Sequence, residues 1–263
     1  MHRYTRPLLS LILVILAAVY FLGRHSLIQP LRMVPVFRWQ AGLIPRPAAV
    51  SAVPVPERLG EKITYDVTMG VLRLGSAEFH YKERTTLGSK PADLVTFTTR
   101  LARFRDSETI LSDPLTHLPL RVEREVVIWP RTERITEEYD QENFLLTVRK
   151  RSGSRESIVD FRKDAVIHNA ILLPYAVRRV TGFEPGWTFT ANLPTQKFTI
   201  RLQGVEEVRV PSGVFNAYHF VSIPERFEIW ISADERRIPL KIRGTAGLGY
   251  ILAMRGYAEG GGT

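Results

Sequence analysis

The chain carries six histidines, His2, His25, His80, His117, His168 and His219. Four of them, from His80 onward, fall in the part that reads as folded. None is spaced as in an H-E-x-x-H metal helix or an H-x-H pair, so each reads as a structural histidine in the core or on the surface. There is no cysteine, which excludes disulfides, thiolate metal sites, a cysteine nucleophile and a lipid-modified N-terminal cysteine. The sequence holds no G-x-S-x-G elbow, no phosphate-cradling G-x-x-x-x-G-K and no dinucleotide G-x-G-x-x-G. Asp234 and Glu235 are adjacent carboxylates beside Arg236 and Arg237. An acid–base pair needs its two groups on opposite sides of a substrate, with shifted pKa values. Neighbours on a turn read instead as solvated ion pairs. Asp66 would bind a polar head if its side of the strand faced a cavity. No catalytic group, metal ligand or cofactor site is assigned.

The remaining candidates are aromatic. Tyr65, Phe79, Tyr81, Phe97, Trp187, Tyr218, Phe220 and Trp230 would line an apolar pocket for a lipid or other amphiphile. The same residues would equally build a filled core, because alternation does not tell a cavity from packed side chains.

The elements that position these residues are strands. From Gly60 onward period-two alternation dominates. Ile63, Tyr65 and Val67 alternate with Lys62, Thr64 and Asp66. Phe198, Ile200 and Leu202 repeat the pattern, as do Phe227, Ile229 and Ile231. About a dozen strands with short turns are expected. HNAILLPYAVRRV, residues 168–180, breaks the rhythm and reads as one short helix, with Asn169 as a cap and Pro174 marking a kink or the true start. The fold class is mainly β: a single curved antiparallel sheet, half-barrel or barrel, with one short helix, preceded by an N-terminal transmembrane helix.

One phrase occurs twice. SDPLTHLPLRV (112–122) and SADERRIPLKI (232–242) share a serine, a polar turn, a Pro-Leu pair and a basic–aliphatic ending. Every shared residue has a turn or strand role, so the repeat reads as two similar hairpins rather than repeated chemistry.

The net charge of +9 belongs largely to the N-terminal segment. Residues 1–56 hold six arginines and no acid, so residues 57–263 carry only 30 basic against 27 acidic residues. A nucleic-acid partner is not expected from that balance. PLLSLILVILAAVYFLG, residues 7–23, is uncharged and flanked by Arg3, Arg6 and Arg24. It reads as an uncleaved signal anchor (1–23) in preference to a cleaved signal, with the N-terminus inside. Six prolines in 24–56 make that stretch a tether, which could reach on the order of 100 Å in polyproline form. Residues 57–263 are the β domain.

GEKITYDVTMGVLRLGSAEF (60–79), VPSGVFNAYHF (210–220) and WISADERRIPLKI (230–242) resemble the opening and closing signatures of a bacterial envelope family, domain-of-unknown-function family 3108. The resemblance covers most of 58–257 and is loose over 84–195. It implies a location: a single-pass protein of the bacterial inner membrane with its C-terminal domain in the periplasm. The closing W-x-S-x-D…P-L-K-I is also similar to the end of lipoprotein-carrier proteins of the LolA/LolB type, which implies a curved sheet around an apolar cavity. The expected function is non-enzymatic binding of a lipid or amphiphile. Two alternatives stay open: an envelope scaffold that binds a protein partner by strand addition, and a hydrolase assembled from distant strands.

Overall fold

The computed structural model describes residues 58–180, 182–184, 186–245 and 249–260. The expected anchor (1–23) and tether (24–56) lie outside the described residues. Among the described residues no helix is long and apolar enough to cross a membrane.

Alternating residues joined by short polar turns produce a continuous antiparallel meander. Its first eight strands are β1 (Lys62–Met69), β2 (Leu72–Leu87), β3 (Lys90–Leu101), β4 (Phe104–Ser112), β5 (Pro119–Ile128), β6 (Arg131–Asp140), β7 (Leu145–Ser152) and β8 (Arg155–Arg162). The helix α1 (Leu173–Arg178) follows. Then come β9 (Thr188–Asn192), β10 (Lys197–Val210), β11 (Gly213–Ile223), β12 (Phe227–Ser232), β13 (Pro239–Gly244) and β14 (Tyr250–Ala258). All fourteen strands form one sheet in the order 8-7-6-5-4-3-2-1-14-13-12-11-10-9. The first and last strands meet in the middle, and β8 and β9 are the edges, which do not pair with each other. The half-barrel expectation is thus met by an open sheet, with more strands than expected and no closure.

The sheet curls around one interior. Ile63, Phe79, Val95, Ile110, Val122 and Leu146 from one wing join Leu240, Leu252 and Met254 from the other in a continuous apolar cluster. Register shifts that insert an extra residue in β2, β10, β13 and β14 supply bends along the way. A second cluster, built on Phe198, Ile200, Phe220, Ile229 and Ile231, fills the β9–β12 side.

The helix is shorter than its sequence pattern. Asn169 accepts hydrogen bonds from the N–H groups of Ile171 (2.8 Å) and Leu172 (3.3 Å), capping a turn ahead of the helix proper. Pro174 sits in the first helical turn, where its missing N–H costs nothing. α1 bridges both clusters: Tyr175 stacks on Phe79 with ring centroids 3.6 Å apart, while Leu173 and Val177 belong to the second cluster.

The repeated phrase is architecture. The two copies form the β4–β5 and β12–β13 connections, and Ser112 and Ser232 each end a strand. His117 and Arg237, equivalent in the two copies, both have left-handed backbones, with φ of 54° and 47°. Both loops hold the region of α1. Arg179 donates to the Leu115 carbonyl (2.7 Å) and Arg178 to the Arg236 carbonyl (2.9 Å). Arg237 donates to the Val180 carbonyl. Helix and loops together cover one end of the curled sheet.

Candidate functional site

Strand parity puts charge inside the sheet. On β4, Phe104 and Ile110 face the interior, so Asp106 and Glu108 between them must as well. On β5, Val122 and Val126 carry Arg124 inward; on β6, Ile135 and Tyr139 carry Glu137. The register sets these residues side by side: Glu108 opposite Arg124, Arg124 opposite Ile135, and Val122 opposite Glu137.

Arg124 holds Asp106 through two hydrogen bonds, Nε at 2.8 Å and a second through an Nη nitrogen. Its Nε is 3.5 Å from Glu108. Tyr139 donates its hydroxyl to Glu137. Burial pushes the Glu108 carboxyl up to about 7, against the pull of Arg124 and with repulsion from Asp106 and Glu137 adding to the rise. Burial also raises Glu137. Arg124 is held charged, because three carboxylates outweigh its desolvation. Asp106 takes the guanidinium in a bidentate grip, and burial favours the protonated form of both Glu108 and Glu137.

One cross-strand row shows where this floor opens. It runs Val95, Ile110, Val122, Glu137, Val148, Val159 from β3 to β8. Its first three members are fully buried, Glu137 and Val148 are half-buried, and Val159 is 48% exposed. The interior face therefore becomes accessible towards the free edge at β8. An open depression of about 370 Å³ lies largely on the opposite face of β5–β7, where Arg121, Glu138, Asp140, Leu145 and Thr147 have the outward parity. Tyr139 belongs to both, its hydroxyl on Glu137 and its side chain on the wall of the depression.

The eight aromatic candidates do not converge. Tyr65 and Phe79 are buried in the first cluster; Tyr65 donates to the Pro239 carbonyl (3.0 Å) and Phe79 lies under Tyr175. Tyr81 donates to Asp93, whose other oxygen takes Arg84 at 2.9 Å. Phe97 pairs with Phe79 on one side and Glu108 on the other, at the margin of the charged floor. Trp187, Tyr218 and Phe220 gather around Phe183, with centroids at 5.1, 4.8 and 5.0 Å, and Arg237 lies over the Phe183 ring at 4.7 Å. Trp230 faces away from Ile229 and Ile231. It stacks on His219 (4.3 Å), donates its indole N–H to Glu206 (2.6 Å) and carries Lys241 over its ring.

The histidines are dispersed among other roles. His117 lies edge-on to Tyr81, and burial together with Arg179 pushes it down to about 4. His168 accepts the Asn192 N–H at 3.1 Å. His219 sits between Glu206 (3.3 Å) and Glu228 (3.0 Å). Among the described residues no three His, Asp or Glu side chains are grouped to hold a metal ion. Asp66 pairs with Arg73 at 2.9 Å on the outward side, and Asp234 pairs with Arg236 at 2.7 Å.

Fold and floor together define a class: an open antiparallel meander curled around a largely apolar interior, with a mostly buried charged floor on β4–β6 and an inward face that opens at the β8 edge. The chain belongs to the family described as "protein of unknown function (DUF3108)", whose model matches residues 64–254. Among solved structures it is similar to a β-barrel-like protein of a domain of unknown function, DUF1849, from Brucella abortus. Identity is 12%, coverage is 77% of this chain and 98% of that one, and the TM-score is 0.47. A Bacteroides fragilis protein with a YmcC-like fold is also similar, at 8% identity, 77% and 97% coverage and a TM-score of 0.26. No curated protein matches.

Proposed function

We propose that the chain is a non-catalytic binding protein of the bacterial envelope, tethered by its N-terminal segment to the inner membrane with the sheet in the periplasm. Its ligand is an amphiphile. The apolar part lies along Val148, Val159 and Phe161 at the free β8 edge. The polar head meets Glu137, Glu108 and Tyr139. Carboxylates that outnumber their guanidinium partner suit a head that donates hydrogen bonds, such as an amine or a cluster of hydroxyls. The observation that carries this reading is the graded row: an apolar, carboxylate-bearing face that is sealed at β3 and open at β8.

Val159→Asp tests it. The side chain is exposed, so the substitution should leave the fold intact while placing a charge where the apolar chain lies. Native mass spectrometry of residues 57–263, purified from envelopes without detergent, should show a stoichiometric amphiphile on the parent protein and loss of it in the variant. Equal occupancy in both would reject this seat. A second reading has its own observation: β8 is an unpaired edge with Ile158 (55%) and Val159 exposed on opposite faces. A partner strand could add there. Co-purification of a protein in place of a small molecule would favour it.

A further inference from the structure

The two ends of the sheet differ in chemistry. In an antiparallel meander alternate turns lie at the same end. The described chain enters β1 at the end covered by α1, so the β1–β2, β3–β4, β5–β6, β7–β8, β9–β10, β11–β12 and β13–β14 turns lie at the other. Half of the large apolar side chains exposed on the described residues are at or beside those turns: Val71 (100%), Trp129 (72%), Leu72, Ile128 and Ile223. The β5–β6 tip is joined to the β3–β4 tip by a hydrogen bond from the Trp129 N–H to the Arg103 carbonyl, 3.2 Å.

Charge separates in the same way. The turn segments 69–73, 101–105, 128–132, 152–155, 193–197 and 223–227 carry Arg73, Arg103, Arg105, Arg131, Arg155, Lys197 and Arg226 against the single acid Glu225. Arg73 and Arg105 are paired with Asp66 and Glu125. Arg103 and Arg131 make no ion pair among the described residues, and both are exposed. At the opposite end the segments 87–90, 112–119, 140–145, 210–213 and 232–239 carry five acids, Asp113, Asp140, Glu142, Asp234 and Glu235, against Lys90, Arg236 and Arg237.

We propose that the turn-rich basic end docks on an anionic phospholipid surface. Val71, Leu72, Ile128 and Trp129 enter the interfacial layer, and Arg103 and Arg131 meet the headgroups. Apolar tips with an interfacial tryptophan, flanked by unpaired arginines, match what such a surface offers: a shallow apolar layer under negative charge. A protein partner gains most of its affinity from anchors seated in packed pockets. Separate narrow turns present tips rather than pockets. The predicted tether, on the order of 100 Å when extended, exceeds the length of the 16-residue β2. The far end can therefore turn back to the bilayer that holds the N-terminus.

The absence of cysteine makes the test direct. Val71→Cys places a single fluorophore at the tip, and Leu115→Cys, 81% exposed at the opposite end, is the control. The labelled full chain is reconstituted into vesicles of phosphatidylcholine alone or with phosphatidylglycerol, each doped with brominated lipid as quencher. The label at 71 should be quenched in the phosphatidylglycerol vesicles and far less in phosphatidylcholine alone. The label at 115 should stay unquenched in both. Adding Arg103→Glu and Arg131→Glu to Val71→Cys should abolish the quenching with the circular dichroism unchanged. An unquenched label at 71 with anionic lipid, or equal quenching at 71 and 115, would overturn the proposal. Equal quenching at 71 with and without phosphatidylglycerol would overturn its anionic requirement.

Discussion

Glu108 is the residue whose protonation the fold controls most visibly. Its carboxyl is pushed from 4.5 to about 7 by burial. The folded state then holds a proton that the unfolded state has released, so this group's contribution to stability declines as pH rises from about 4.5 to about 7. His117 acts in the opposite sense. Its depressed pKa means that the unfolded state takes up the proton first, and stability is lost as pH falls from 6.5 towards about 4. The two slopes oppose each other in the parent protein. Glu108→Gln should unmask the histidine slope. The gap between variant and parent stability should widen with pH and level off above about 7, at roughly 3 kcal/mol at most. Urea midpoints at a series of pH values would check it; a constant gap would assign the carboxyl no such shift. Glu61 and Arg178 form a different kind of buried pair, bidentate at 2.7 and 2.9 Å and almost wholly excluded from solvent. Removing one partner strands the other, so Arg178→Ala should cost about 3–5 kcal/mol, read from denaturant unfolding. The charged floor was only half legible in the sequence, through parity. Asp106 and Glu108 share the parity of Phe104 and Ile110, and Arg124 shares that of Val122 and Val126. Polar residues occupy both faces of these strands, so alternation by itself reads them as solvated. Only the register with β3 and β5 shows which face is enclosed.

At the scale of elements, the meander follows closely from period-two alternation and short turns, and the two copies of the serine–turn–Pro-Leu phrase specify two equivalent loops. The helix is over-read from its apolar pattern, because Asn169 caps a preceding turn and Pro174 delays the helical start. The pairing order also lies beyond local pattern, since β1 and β14 meet only when both wings have formed. Close approach adds a constraint that composition does not show. A Cβ built on Gly75 would lie 2.0 Å from the Arg100 carbonyl oxygen. That atom is backbone in the neighbouring strand, so one of the two strands must move. Gly75→Ala should destabilise by about 1–3 kcal/mol. It should raise hydrogen exchange along the β2–β3 pairing more than along β10–β11. Uniform exchange across the sheet would argue that the contact is relieved without moving the strand.

The whole molecule is asymmetric in two directions. One end is covered by α1 and both repeat loops, with acids in excess in its hairpin turns, while the other presents apolar tips and unpaired arginines. One wing is sealed around the first apolar cluster, while the β6–β8 wing exposes its inward face at an unpaired edge. Three of the expected aromatics, Tyr65, Phe79 and Trp230, are buried in the first apolar cluster, Tyr65 and Phe79 beneath α1 and Trp230 stacked on His219. Trp230→Ala should therefore cost about 3–5 kcal/mol of stability and leave ligand occupancy unchanged in the protein that remains folded. Loss of ligand without loss of stability would instead restore Trp230 to the binding site. The most direct measurement of the central claim is the mass of residues 57–263 as isolated from envelopes, compared with its Val159→Asp variant. A bound amphiphile at one per chain, absent from the folded variant, is the predicted result. A bare parent protein that gains no mass when offered extracted envelope lipids, or an amphiphile held equally by both proteins, would contradict it.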